Sequence, residues 1–197
     1  MKNMEISTVE FVKGVVGEDP IMHDNVTQIA FVGRSNVGKS STLNAILGKS
    51  RLVKVGKTPG KTQEINFFKL TINNGLKMYC VDLPGYGYAK LSKKRREELR
   101  ELIEWYISYT QAPIALICLI IDAKVGLTDL DKVFLQHLQQ SGKKYIVAAN
   151  KIDKINQKEQ HQLKKELSSS LGVDVFYYSV LKRKNIDVLK EAAFSIN

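Results

Sequence analysis

Apolar and polar positions recur along this chain with two different periods, and the changes from one to the other divide it into elements. Ile29-Ala30-Phe31-Val32 is a short apolar run of strand type that ends at Gly33. From Lys39 the period lengthens: Leu43, Ile46 and Leu47 share one helical face, and Gly48 is placed to end the helix. Between residues 49 and 61 periodicity disappears, which predicts a loop long enough to be functional or to move. Residues 64–72 and 76–81 read as strands, and Asn74-Gly75 between them predicts an antiparallel hairpin. A helix with Leu99, Leu102, Ile103 and Tyr106 at helical spacing follows. Beyond Pro113 the order is strand 114–121, helix 129–140, strand 145–149, helix 157–171, strand 173–178 and a last helix from Asn185.

Continuous apolar strands separated by amphipathic helices imply a mostly parallel sheet covered on both faces, hence a three-layer α/β domain. Six strands are expected, one of them antiparallel, in a domain over residues 28–197. Residues 1–27 form an arm in this reading: Ile6, Val9, Phe11, Val12, Val15 and Val16 suit an extended segment packed on the domain, and Glu18-Asp19-Pro20 breaks it. In the helix over 129–140, Leu130, Val133, Phe134 and Leu138 set the apolar face; His137 falls on the same spacing and reads as a packed or half-exposed residue. His23 and His161 join no catalytic group, and Trp105 and its neighbouring tyrosines read as packing.

Ligands of such sheets bind beyond the carboxyl ends of the strands, and the polar motifs follow strands. Gly33-Arg34-Ser35-Asn36-Val37-Gly38-Lys39-Ser40 matches G-x-x-x-x-G-K-[ST] between a strand and a helix. A loop so placed aims backbone N–H groups and the positive end of the helix dipole at one point, where a polyphosphate fits. Lys39 reaches the β- and γ-phosphates, and the Ser40 hydroxyl is a ligand for Mg²⁺. Asp82 ends a strand where a carboxylate can hold Mg²⁺ through water, and Gly85 in Asp82-Leu83-Pro84-Gly85 can offer its N–H to a γ-phosphate. Asn150-Lys151-Ile152-Asp153 selects the base. One carboxylate, Asp153, accepts both N1–H and the N2 amine of guanine, whereas adenine presents an acceptor at N1 and no amine beside it. Asn150 braces the surrounding loops. Ser179-Val180-Leu181 follows the final strand, where backbone N–H groups reach guanine O6.

Composition bears on size, charge, thiols and membrane contact. The chain has 197 residues, 44% hydrophobic and 25% charged, which suits one globular domain. A formal charge of +10 favours an anionic partner such as RNA. The basic residues include Lys93-Lys94-Arg95-Arg96, Lys182-Arg183-Lys184, and Lys49, Arg51, Lys54, Lys57 and Lys61 in the loop. Lys93 to Arg96 stand where a helix begins, beside its positive end, so local stability does not explain them. Cys80 and Cys118 lie in apolar runs and read as buried thiols. The longest apolar run, residues 114–121, is too short to span a bilayer, and neither a signal-peptide pattern nor a lipidation cysteine is seen. A cytoplasmic monomer without membrane contact is expected.

With Thr62 between the first two, these motifs in order resemble the five boxes of a Ras-like, translation-factor-class P-loop GTPase. Within that class three strings resemble the EngB family, also called YsxC or YihA. They are Gly33 to Ser41, then Lys57-Thr58-Pro59-Gly60-Lys61-Thr62-Gln63, and then Asp82-Leu83-Pro84-Gly85-Tyr86-Gly87-Tyr88-Ala89. The resemblance implies a GTPase acting as a switch in large ribosomal subunit assembly, with the large subunit or its rRNA as partner; the family is also linked to cell division and septation. It implies GTP contacts across Gly33 to Ser41, Gly60, Lys61, Thr62, Gln63, Glu64, Asp82 to Gly85, Asn150 to Asp153, and Ser179, Val180 and Leu181. Thr62 would close over Mg²⁺ and the γ-phosphate, giving Ser40, Thr62 and Asp82 as metal residues and Lys39, Thr62 and Asn36 as catalytic ones. Asn185 stands where a glycine is frequent, and asparagine tolerates the left-handed conformation needed there. Two other readings stay open: a signalling GTPase acting on protein partners at the septum, and a nucleotide-bound scaffold with negligible hydrolysis.

Many GTPases orient the attacking water with a Gln directly after Asp-x-x-Gly; here Tyr86 follows and lacks the amide's paired donor and acceptor. Slow unaided turnover is therefore expected, and resemblance to GTPases with Asn in this part of the P-loop makes Asn36 a candidate K⁺ ligand, the alternative being that it only stabilises its loop. If Asn36 holds K⁺ near the charge developing between the β- and γ-phosphates, GTP hydrolysis runs faster in K⁺ than in Na⁺ at equal ionic strength. Identical rates would remove the K⁺ role.

Overall fold

The computed structural model describes residues 5–50, 52–53, 64–87, 91–108 and 111–195. Their elements are β1 (Ile6–Val15), β2 (Gln28–Gly33), α1 (Lys39–Ile46), β3 (Ile65–Ile72), β4 (Lys77–Asp82), α2 (Lys93–Ser108), β5 (Ile114–Asp122), α3 (Asp129–Ser141), β6 (Tyr145–Asn150), α4 (Gln157–Leu171), β7 (Val175–Tyr177) and α5 (Ile186–Phe194). The strands form one sheet in the order β1-β3-β4-β2-β5-β6-β7. β3 pairs antiparallel with both neighbours, and every other pairing is parallel, so β3 alone runs against the rest.

The central strands are buried on both faces, as their unbroken apolar runs require. Ala30 and Val32 of β2, with Ile117, Leu119 and Ile121 of β5, enter one core with Ile103 and Tyr106 of α2, Phe134 and Leu138 of α3, and Leu163 and Leu167 of α4. Ile29 and Phe31, with Cys118 and Ile120, enter the other with Leu43 and Ile46 of α1 and Leu189 and Phe194 of α5. The alternation is the two-residue period of a strand seen from both sides. Tyr106 is fully buried and donates its hydroxyl to Gln28 Oε1 at 2.8 Å, so its polar end is satisfied inside the core. Trp105 packs against the same core from a partly buried position.

The sheet has seven strands rather than the expected six, because the N-terminal segment is itself a strand. β1 pairs along β3 from Ile6 opposite Ile72 to Val15 opposite Ile65, with register shifts at Ile6/Thr8 and Phe11/Lys13. Most of its side chains are exposed, so alternation is absent and the apolar pattern shows only that the segment is extended. The ladder and the Phe11–Phe68 ring contact, 5.4 Å between centroids, hold it in place. The last strand is shorter than predicted, three residues against six.

The α3 helix is turned from its expected orientation. Its buried residues are Asp131, Phe134, Leu135 and Leu138, while Leu130 and Val133 are 52% and 54% exposed. Asp131 is the third helical residue and forms a capping box with Thr128, which fixes the first turn with the carboxylate inward.

Cys80 and Cys118 are free and buried. Burial pushes both thiols up, with the nearby Asp82 charge adding to the effect at Cys80. A thiol-specific disulfide reagent at pH 8 should therefore leave both unmodified in the native protein and react with both in denaturant. Labelling of either in the native protein at the rate of an exposed cysteine would contradict this placement.

Candidate nucleotide-binding site

The site is assembled where parallel strands end. β2 runs into the loop at Gly33, and the chain enters α1 through Gly38, whose φ of 96° is a left-handed conformation that side chains rarely adopt. Both glycines are also required by space. A Cβ on Gly33 would lie 2.5 Å from the Ile120 carbonyl oxygen, and one on Gly38 would lie 2.5 Å from Asn150 Nδ2. Between them Asn36 has φ 69°, so an asparagine occupies the second left-handed position of the loop. Its side chain is exposed, and its carbonyl accepts a hydrogen bond from Lys151 Nζ at 2.6 Å.

Lys39, in the first turn of α1, pairs with Asp82 at the end of β4, and both side chains are nearly buried. This places a cation and a carboxylate together beside the α1 N-terminus, with Ser40 half-buried next to them and Ser41 following. Leu83 and Pro84 are buried, and Gly85 lies against the P-loop, where an added Cβ would be 3.3 Å from Ser35 Oγ.

Asn150 ties three loops together. Its Nδ2 donates to Val37 O at 2.9 Å, and its Oδ1 accepts from Lys151 N at 2.8 Å and Val180 N at 3.3 Å. Lys151 Nζ also bonds Asp122 Oδ2 at 2.6 Å. Ile152 is buried, whereas Asp153 is exposed and accepts a hydrogen bond from the buried Ser179 hydroxyl. The loop after β7 continues through half-buried Val180 and exposed Leu181, then turns back: Ser179 and Lys184 exchange backbone hydrogen bonds of 3.1 and 3.0 Å. Asn185 closes this loop with φ 57° and donates from Nδ2 to Tyr177 O at 2.8 Å, so asparagine does supply the left-handed residue expected there.

The P-loop, Asp82 to Gly85, Asn150 to Asp153 and Ser179 to Leu181 thus meet at one end of the sheet. Glu64 stands apart, exposed just before β3, with its carboxylate near Gly14. Gly60, Lys61, Thr62 and Gln63 lie outside the described residues, as do Arg51, Lys54, Lys57, Tyr88 and Ala89. Two carboxylates were missed in the sequence. Asp122 ends β5 opposite Asn150 of β6, and the strand-end rule that found Asp82 applies equally to it. Asp131 had no such signal, since a carboxylate three residues after Thr128 reads as a helix cap. His137 is half-buried beside Phe134, as expected from its spacing.

Lys93, Lys94 and Arg96 are exposed in the first turn of α2, while Arg95 pairs with Glu98 at 2.6 Å. Lys182, Arg183 and Lys184 are exposed beside the final loop, as is Lys49 after α1. No described helix is long and apolar enough to cross a membrane.

Residues 28–151 match the protein-family model described as "50S ribosome-binding GTPase". The chain is 44% identical over 172 residues to a relative from Mycoplasmopsis synoviae (strain 53) described as a probable GTP-binding protein EngB, covering 86% of this chain and 88% of the relative. Its fold is similar to the crystal structure of a probable GTP-binding protein engB, with a TM-score of 0.70, 26% identity, and coverage of 86% and 97% of the two chains. It is also similar to Era in complex with MgGDPNP and nucleotides 1506–1542 of 16S ribosomal RNA, with a TM-score of 0.72, 27% identity, and coverage of 87% of this chain and 56% of Era.

The tight approach at Gly38 generates a prediction. Gly38→Ala combines a positive φ with a Cβ driven into Asn150, and should destabilise the protein by about 1–3 kcal/mol. Urea unfolding would show it as a lower midpoint at unchanged slope; a wild-type midpoint would mean that Asn150 yields without cost.

Proposed function

Because the chain belongs to the EngB family of P-loop GTPases, which bind guanine nucleotides and hydrolyse GTP, we propose that it is a GTP-driven switch in assembly of the large ribosomal subunit. The convergence of the four strand-end motifs on one site supports the nucleotide half of this reading. In it, the P-loop from Gly33 to Ser41 wraps the phosphates and Lys39 neutralises the β- and γ-phosphates. The Gly85 N–H faces the terminal phosphate. Asp153 accepts the two guanine donors, Lys151 flanks the base, and Ser179, Val180 and Leu181 form its other edge. Gly60, Lys61, Thr62, Gln63 and Glu64 belong to the switch segment of the same reading.

The donor set suits Mg²⁺. Ser40 and Asp82 offer oxygen alone, and among the described residues no three His, Cys, Asp or Glu side chains are grouped to hold a metal. Mg²⁺ would suit such a site, since it commonly binds through one or two protein oxygens and otherwise through phosphate and water. Ser40 and Thr62 would hold it directly and Asp82 through water, and it would supply positive charge that offsets the charge of the phosphates. Asn36 is the residue proposed for K⁺, and its positive φ also supports its alternative role as a loop former.

For the partner, the carrying observation is the exposed cationic first turn of α2. Lys93, Lys94 and Arg96 crowd the positive end of a helix, where cations are disfavoured, and they leave their charge facing solvent. Phosphates of rRNA complement such a surface, and Era, of similar fold, is solved with 16S ribosomal RNA. With GTP bound, the protein should co-sediment with large subunit particles more strongly than with GDP. Neutralising Lys93, Lys94 and Arg96 should weaken that association and flatten its salt dependence. Unchanged affinity and slope would reject the surface, and retention on septal components instead of subunits would favour the signalling reading.

A further inference from the structure

Tyr86, which takes the place of the water-orienting glutamine, is tied to α3. Its hydroxyl donates to Asp131 Oδ1 at 2.7 Å, and its ring stacks on Phe134 with centroids 5.0 Å apart and planes at 24°. The same carboxylate accepts Arg34 Nε at 3.2 and 3.0 Å on its two oxygens, and Thr128 N and Oγ1 at 3.0 and 2.6 Å on Oδ2. Asp131 is completely buried. Burial first, and the Asp131 charge second, push the Tyr86 phenol well above its ordinary range, so it remains a donor to this carboxylate.

The two residues that Asp131 holds belong to the two halves of the phosphate site. Arg34 is the residue after Gly33, and Tyr86 is the residue after Gly85. Their backbones are also joined: Ser35 N donates to Tyr86 O at 2.9 Å, and Tyr86 N donates to Gly33 O at 3.3 Å. On the outer side Gly87 lies against Leu130 and Arg34, where a Cβ would be 2.9 Å from Leu130 Cδ1. Stability is a weak explanation for so much buried charge, because desolvation cancels much of an ion pair's attraction. Here Arg34 Nη2 is moreover buried with no hydrogen-bond partner among the described residues. What the arrangement does provide is a fixed distance between the P-loop and the turn carrying Gly85.

We propose that Asp131 is a positioning residue for GTP hydrolysis: through Arg34 and the Tyr86 hydroxyl, it holds the Asp82 to Gly85 turn against the P-loop from the first turn of α3. Donors aimed in advance at developing charge act without reorganising when the reaction occurs, and loosening their support raises the barrier more than it weakens ground-state binding. The proposal rests on the reading that the P-loop and Gly85 bracket the terminal phosphate.

The test uses the full chain under GTP turnover. Tyr86→Phe keeps the ring on Phe134 and removes only the hydroxyl, while Asp131→Asn removes the charge that holds Arg34. Each should lower kcat by about tenfold, the scale of one hydrogen bond to a charged group, and leave KM and GDP affinity within about twofold. The double variant should be no slower than Asp131→Asn alone, since both changes cut one link. A wild-type kcat in Tyr86→Phe, losses that multiply in the double variant, or a KM that rises in step with the loss of kcat would overturn the proposal. If Asp131→Asn does not fold, Tyr86→Phe alone decides. Lys39→Ala keeps the underlying reading separate: GTP binding at wild-type strength in that variant would reject the phosphate site itself, whereas its loss beside a fully active Tyr86→Phe would reject only the role of Asp131.

Discussion

Everything at the nucleotide site depends on the register of four parallel strands. Phe31 of β2 stands beside Asp82 of β4, Gly33 beside Ile120 of β5, and Asp122 of β5 beside Asn150 of β6. Those pairings bring the carboxylate that meets Lys39, the P-loop and the Asn150 amide to the same end of the sheet, stepped along β5 from the level of Cys118 through Ile120 to Asp122. A slip of one residue in any strand would exchange its two faces as well as shift its end, sending every side chain into the core on the opposite side of the sheet. The two cores therefore fix the site before any polar contact is made. The closeness of Gly33 to the Ile120 carbonyl shows how little freedom remains, since not even a methyl group fits between them.

Polar contacts then refine what the register places. Asn150 uses its amide on Val37, Lys151 and Val180, so one side chain joins the phosphate loop to both base loops. Lys151 repeats the link through Asn36 and Asp122. Asp131 makes the corresponding connection on the other flank, between the P-loop and the turn after β4. Two sets of ties, one from β6 and one from α3, hold the same short loop from opposite sides.

The parallel core was legible in the sequence because burial on both faces writes a continuous apolar run, and β2, β5 and β6 carry such runs. The hairpin of β3 and β4 was legible through Asn74-Gly75, and Gly75 has the expected left-handed φ, 82°. β1 was readable only as an extended arm, because an edge strand with most side chains in solvent has no reason to alternate. In α3 the periodicity misled: Leu130 and Val133 look like core residues, yet the helix is rotated so that Asp131 is inward. Local spacing cannot reveal that a carboxylate is buried when its partners, Arg34 and Tyr86, are 97 and 45 residues away. Motifs of fixed spacing were readable at once, whereas the ties that hold them needed the tertiary structure.

The outermost strand has a consequence for behaviour in concentrated solution. Among the described residues, β1 leaves one side of a ten-residue strand unpaired, with Phe11 and Val12 exposed on it and Val16 exposed just beyond it, which is the kind of edge that recruits another strand. Its two register breaks interrupt the flat, evenly spaced row of backbone groups that such recruitment needs, and Glu10 and Lys13 put charge beside the exposed apolar residues. At the opposite edge β7 is only three residues long. The sheet is thus guarded against growing sideways by irregularity at one margin and brevity at the other.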